Sequence, residues 1–580
     1  MSAGANESTM RDKRVVHQDE GSLSVADVAG PLSHLRAFYL NDSEITLVAL
    51  PEGTTRVVAQ RASGSSDEAT VGAVARFEGL EPGTYAVQAL ERDGRVLAEE
   101  FTTVGSHPGE RPVHGFATSF TDDAVPEVLA WNRALRSTVV QAYDWMDSYT
   151  EPLGPESGWQ DPSHRAVSLT ALRSLADGLR ANGAITHAYA PIYAVGNAFA
   201  DANPEMLLYQ SDGRAIRFLD QIVLANPANL QWQRHFVTSY GAAADAIGFT
   251  GFHVDTYGFP RLAFDASGES VDMRVAYADF LRALRAGRPN DLISFNQVDG
   301  VPSAAQLPTQ PVFRYCEVWP PNDQWRHFEG LLDRSAGPSS CLGKSSRPED
   351  VVRGSLACYP AVWGIDSPSG PIETSARPDA LRTVLCTEAI VTQLGASALI
   401  FGDRSAALCD PYYPKHARLD PSEAETVLAW RRFALRCRDL FLDGEDTSWY
   451  EIGDENGTVA VEADALVRPE PVGGALFARV AHAESWVAVG LVDLTGSANG
   501  GWSERTSRGR VRNATVRILV DHPELWIADA AILGHGGGRF AEVVARDVPH
   551  RQGRALEVEV PFVEGWSVLR VRKSGASGGT

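Results

Sequence analysis

The chain has 580 residues, 44% hydrophobic and 22% charged, which suits several soluble globular units. Asp and Glu outnumber Lys and Arg by 74 to 52, a formal net charge of −22; this excludes a nucleic-acid partner, because phosphate binding needs a concentrated basic face. No segment reaches the roughly 18–20 apolar residues of a membrane span, which argues against a membrane partner as well.

Residues 1–29 are polar, have no apolar leader core and read as a disordered tail. A cytoplasmic protein is expected, or a secreted one whose leader has been removed. Residues 30–107 alternate as β-structure does. In GTYAVQALERDGRVLAEEFTTV, Tyr85, Val87 and Ala89 share one face, and Asp93-Gly94 turns the chain back into Val96 and Ala98. An immunoglobulin-like β-sandwich is expected there.

From 112 to 442 short apolar runs alternate with longer helical patterns. Strands are expected at 114–120 and 139–149, in AITHAYAPIYAVG, and at 250–255, 292–298, 312–319, 360–366 and 396–403. Helices are expected in VPEVLAWNRALRS, at 165–183, in LQWQRHFVTSYGAAADAIG, at 271–286, and near 323–335, 347–357 and 379–394. In 165–183, Val167, Leu172, Leu175 and Leu179 fall near helical spacing and Gly183 supplies the stop. Eight strands with helices between them predict a central (β/α)₈ TIM barrel. From 447 to 573 the β-pattern returns, so the expected architecture is multidomain, closed by a second, antiparallel β-sandwich. The tail SGASGGT is small and polar. Cys316, Cys341, Cys358, Cys386, Cys409 and Cys437 form no CxxC pair and read as buried thiols of a reducing compartment.

A barrel enzyme carries its chemistry at the carboxyl ends of its strands. Asp144, Asp255, Asn296, Glu317, Asp366 and Asp403 fall there. Glycosidic cleavage needs two carboxyl groups flanking the bond, one of them held protonated as the donor. Glu317 sits among Tyr315, Cys316, Val318 and Trp319, a setting apolar enough for that. Asp255 precedes Thr256-Tyr257-Gly258, a turn that would aim it into the mouth. Trp145, Tyr149, Tyr193, Tyr257 and Trp319 offer rings for stacking on sugar, although aromatic side chains also serve simply as packing. Asp144, Asp366 and Asp403 each have a plainer alternative as loop anchors or caps. His253 and Asp255 share a strand face, but no further ligand completes a metal site, so neither metal nor cofactor is expected.

The segments AYDWMDSYTEPLG, GFTGFHVDTYG, YCEVW, ALCDPYYPKHARL, WRRFALRCRDLF and WVAVGLVDLTGSANGGW, in this order, resemble glycoside hydrolase family 66, the dextranases and cycloisomaltooligosaccharide glucanotransferases. The resemblance implies a retaining enzyme acting on α-1,6-glucan, with nucleophile Asp255 and acid/base Glu317. It places Asp144 on the sugar beside the cleaved bond. Trp145, Tyr193, His253, Tyr257, Asn296, Trp319 and Asp403 complete the expected substrate-binding set. Thr256 stands where the family commonly has Gln. Cyclising members carry an extra carbohydrate-binding insert in the barrel region, and none is apparent between 112 and 442, so hydrolysis is expected over transfer. Rival readings are a transglycosylase, a non-catalytic glucan-binding protein, and a barrel hydrolase of another α-glycoside.

Overall fold

The computed structural model describes residues 32, 34–48, 50–69, 71–72, 74–218, 221–301, 312–336, 354–363, 373–409, 416–446 and 458–574. Eight parallel strands form one nearly closed sheet: β1 (His114–Ala117), β2 (Val139–Ala142), β3 (Ile185–Pro191), β4 (Gly251–Asp255), β5 (Leu292–Asn296), β6 (Val312–Glu317), β7 (Ser355–Ala357) and β8 (Ser397–Leu399). Each pairs in parallel with the next in the chain. Past β8 the Asp403 N–H donates to the Phe116 carbonyl of β1 at 2.7 Å, which draws the last strand toward the first.

Helices α1 (Val125–Ala134), α2 (Leu169–Ala181), α3 (Leu230–Ile247) and α4 (Met273–Gly287) follow β1 to β4, and α5 (Phe328–Ala336), α6 (Arg377–Gln393) and α7 (Pro421–Asp443) follow β6 to β8. Their ends obey local chemistry. Ser168 caps α2 by accepting from the Ala171 N–H, and Asn229 does the same for α3. Gly183, at φ 78°, takes the left-handed turn out of α2. On α2, Leu172, Leu175, Ala176 and Leu179 face the core.

Three expectations need correction. The seventh barrel strand is Ser355–Ala357, not 360–366; Ala361–Trp363 is a 3₁₀ turn, and 364–366 lie outside the described residues. The expected helix near 347–357 therefore cannot reach 355–357, and 347–353 lie outside the described residues. Helix α4 begins at Met273 rather than 271, because Asp272 ends a strand paired to Leu262–Phe264 and then caps the helix. Cys316, Cys358, Cys386, Cys409 and Cys437 are buried as expected, while Cys341 and residues 1–29 lie outside the described residues.

Before the barrel, a five-stranded sheet and a two-stranded one enclose Leu35, Ile45, Leu47, Val57, Tyr85 and Val87. After it, a seven-stranded and a four-stranded sheet enclose a core that includes Val461, Leu476, Val516 and Leu569. Among the described residues no helix is long and apolar enough to cross a membrane.

Candidate active site

Strands β4, β5 and β6 are neighbours in the barrel, and their last residues are Asp255, Asn296 and Glu317. This adjacency builds the centre of the site. The Asn296 amide nitrogen donates to Asp255 Oδ1 at 2.7 Å and to Glu317 Oε2 at 3.0 Å. Its amide oxygen accepts from the Glu317 N–H at 3.2 Å, which fixes which way the amide faces. Since one nitrogen holds both carboxyl groups, those two oxygens lie no farther apart than the sum of its two bonds.

Asp255 is bound on its other sides too. Oδ2 accepts from the Tyr189 hydroxyl at 2.7 Å and Oδ1 from the Thr256 N–H at 2.9 Å, and Tyr193 adds a side-chain hydrogen bond. Burial raises its pKa, and these donors oppose that by favouring the charged form. Glu317 is pushed up to about 7, by burial first and by the facing Asp255 charge second, against hydrogen bonds from Trp319, Asn296 and Tyr359. The pair therefore has one carboxyl group well supplied with donors and one that keeps its proton to near neutral pH.

A pocket of about 1070 Å³, counting its open mouth, lies over this pair. Tyr149, Tyr193, Tyr257 and Trp319 form much of its wall, and Asp144 and Ser163 lie at one side of it. Asp144 sits just past β2 in a left-handed conformation (φ 51°), uncommon for a residue with a side chain and a frequent mark of a functional site. Burial lifts its pKa to about 7 although Arg165 Nη2 lies 4.0 Å away. Among the described residues that line the pocket there is no Lys or Arg.

Of the expected site residues, Asp144, Tyr193, Tyr257 and Trp319 line the pocket with Asp255 and Glu317, and Asn296 lies directly beneath. Three lie elsewhere. Trp145 is fully buried, its ring edge-on to Tyr240 and Phe249 and its N–H donating to the Tyr189 carbonyl. His253 is one strand step below Asp255 inside the barrel, hydrogen-bonded to Ser294 at 2.9 Å and packed on Tyr315. Asp403 accepts from the Thr118 and Ser119 N–H groups at 2.8 and 3.0 Å, joining β1 to the chain beyond β8. Asp366 lies outside the described residues. Sequence reasoning missed Tyr143, Tyr189 and Asp299. Tyr189 was discoverable, because it shares a β3 face with Pro191, the residue that registers against Asp255. Tyr143 stacks on Tyr189 at 4.4 Å and so holds the ring that donates to Asp255.

An Asp–Glu pair at the carboxyl end of a parallel barrel, walled by aromatic rings, is an arrangement suited to glycoside hydrolysis. The chain belongs to glycosyl hydrolase family 66, whose model matches residues 67–569. A cycloisomaltooligosaccharide glucanotransferase of Niallia circulans is 24% identical over 260 residues, covering 40% of this chain and 27% of that protein. A dextranase of Streptococcus salivarius is 27% identical over 267 residues, covering 40% of this chain and 32% of that one. The chain thus spans a third or less of these relatives' length. The crystal structure of a Paenibacillus sp. cycloisomaltooligosaccharide glucanotransferase complexed with cycloisomaltoheptaose has a TM-score of 0.74, covering 92% of this chain and 98% of that one, at 16% identity. At that identity the likeness is one of fold.

Proposed function

We propose that this protein is a retaining glycoside hydrolase that cleaves α-1,6-glucosidic linkages in dextran or isomaltooligosaccharides. The observation that carries the reading is the single Asn296 nitrogen bonded to both Asp255 and Glu317 at 2.7 and 3.0 Å. The two bonds limit how far apart the two oxygens they hold can lie, and this close approach favours the roughly 5–5.5 Å spacing of retention over the roughly 6.5–9.5 Å with which inversion admits a water. Asp255 attacks the anomeric carbon as Glu317 gives its proton to the departing glycosidic oxygen. The C–O bond breaks and a glucosyl ester forms on Asp255. Glu317, now a carboxylate, takes a proton from water, whose oxygen displaces Asp255 from the anomeric carbon. Two inversions leave an α-product and return both groups to their starting state. Asp144 binds the sugar beside the cleaved bond, and the tyrosine and tryptophan rings stack on its apolar faces. The β-rich parts at 30–107 and 447–573 act as sandwiches that buttress the 112–442 barrel, the first immunoglobulin-like.

The test is incubation with dextran and isomaltooligosaccharides, with the anomer of the first product read by NMR. The parent should release α-configured oligosaccharides. Asp255→Ala and Glu317→Ala should each lose at least about a hundredfold in kcat/KM. A β-configured first product would overturn retention. Failure of the folded parent to cut either substrate would overturn the α-1,6-glucan assignment. Cyclic products would move the reading to transfer.

A further inference from the structure

The segment WVAVGLVDLTGSANGGW, in the β-rich part beyond the barrel, has no place in the chemistry above. Its last residue, Trp502, is buried, yet its indole N–H leaves its own unit and donates to the Asn322 carbonyl at 2.8 Å. The Trp502 backbone N–H donates to the Asp323 carbonyl at 3.2 Å, and the Trp325 N–H donates back to the Gly500 carbonyl at 2.9 Å. Three hydrogen bonds therefore grip the barrel chain over 322–325, which runs on from Glu317. The same stretch is held from the other side by Asp299, three residues past Asn296. Asp299 Oδ1 accepts from the Asn322 side-chain amide at 2.9 Å and from the Trp319 N–H at 3.2 Å. The Asn322 N–H closes the turn on the Trp319 carbonyl at 2.8 Å. Trp319, pinned by this turn, lines the pocket, and its side chain hydrogen-bonds Glu317.

We infer that Trp502 and Asn322 are positioning residues for the acid/base step: the unit beyond the barrel clamps the 319–325 turn, and the turn holds Trp319 so that Glu317 is aimed at the departing glycosidic oxygen. Neither residue touches substrate; both act through Trp319. The inference rests on the proposed role of Glu317.

A group that only aims a proton donor matters when the leaving group needs a proton and not when it leaves as a stable anion. The experiment therefore compares kcat/KM, which reports the glycosylation step, on isomaltooligosaccharides and on α-isomaltosyl fluoride, for the parent, Trp502→Phe and Asn322→Ala. Phe keeps most of the ring packing and removes the N–H donor. Asn322→Ala removes the amide held by Asp299 and guards against a Trp502 variant that does not fold. Each folded variant should lose about tenfold or more on the oligosaccharides and less than about twofold on the fluoride. Equal losses on both substrates would show a merely structural role, and no loss on either would show no role; each overturns the inference. A Glu317→Ala protein still active on the oligosaccharides would instead remove the underlying assignment, whatever the two variants do.

Discussion

Asn296 directs both hydrogens of one amide group at two different carboxylates, so its loss acts on both at once. A hydrogen bond to the charged form lowers a pKa, and removing it raises the pKa of Asp255 and of Glu317. In an Asn296→Ala protein both limbs of the bell-shaped kcat/KM profile should move to higher pH, with a fall of roughly a hundredfold at the maximum. A profile lowered without displacement would mean that Asn296 serves packing alone. Glu317 supplies a second test. Its folded pKa, about 7, exceeds the value of about 4.3 expected unfolded. As pH rises between these values the unfolded chain loses a proton that the folded chain keeps, so folding is progressively disfavoured, and above about 7 the full cost is present. Glu317→Gln removes that cost. It should stabilise the protein at pH 8 by on the order of 4 kcal/mol at most, with the gain fading to nothing by about pH 4. Thermal melts across that range check it, and a gain independent of pH would contradict the assigned cause.

The site stands on three consecutive barrel strands, so anything that shifts β4 against β5 displaces Asp255 from Asn296. Gly251 opens β4 opposite Leu292, and a Cβ there would run into the Leu292 carbonyl. Gly251→Ala should destabilise by about 1–3 kcal/mol and reduce turnover as well, since the register that aligns the carboxyl groups is the one disturbed. Urea denaturation paired with a rate measurement checks this, and an unaltered rate in a destabilised protein would separate register from catalysis. Strands β4, β5 and β6 were legible because each is an apolar run ending in a polar residue, and the strand-end rule then selected Asp255, Asn296 and Glu317. Strand β7 was not, because Ser355–Ala357 is only three residues long and fully buried, while the nearby 360–366 offers a longer, largely apolar run. Periodicity alone cannot choose between two such runs. Trp145, His253 and Asp403 share strand or strand-end positions with true pocket residues. What separates them is contact with Tyr240, Ser294 and Thr118, partners distant in sequence that no local pattern reveals.

Helix α7 is the meeting point of the whole molecule. On one side Trp430 and Phe433 pack on Trp566 of the sheets beyond the barrel, at 5.8 and 4.8 Å between ring centres. On the other, Asp439 accepts from the Thr84 N–H and hydroxyl of the first β-unit. One carboxylate joins all three parts: Glu99 of the first unit pairs with Arg436 of α7 through both its oxygens and with Arg539 of the last unit at 3.3 Å, and accepts from Gln88. Burial alone would raise the Glu99 pKa, but Arg436, Gln88 and Arg539 outweigh it and hold it lowered. A folded pKa below the unfolded one gives stability that is present above the usual Glu range and lost as pH falls beneath it. Glu99→Gln leaves Arg436 buried without its counter-charge, which should cost on the order of 3 kcal/mol at pH 7. The difference from the parent should shrink as pH falls below about 4, where the parent's own Glu99 becomes protonated. Urea unfolding followed by tryptophan fluorescence reads this directly, because Trp430 and Trp566 lie in the α7 interface. A deficit as large at pH 3 as at pH 7 would assign the effect to packing of the side chain and not to its charge, and the junction would then be held together by shape alone.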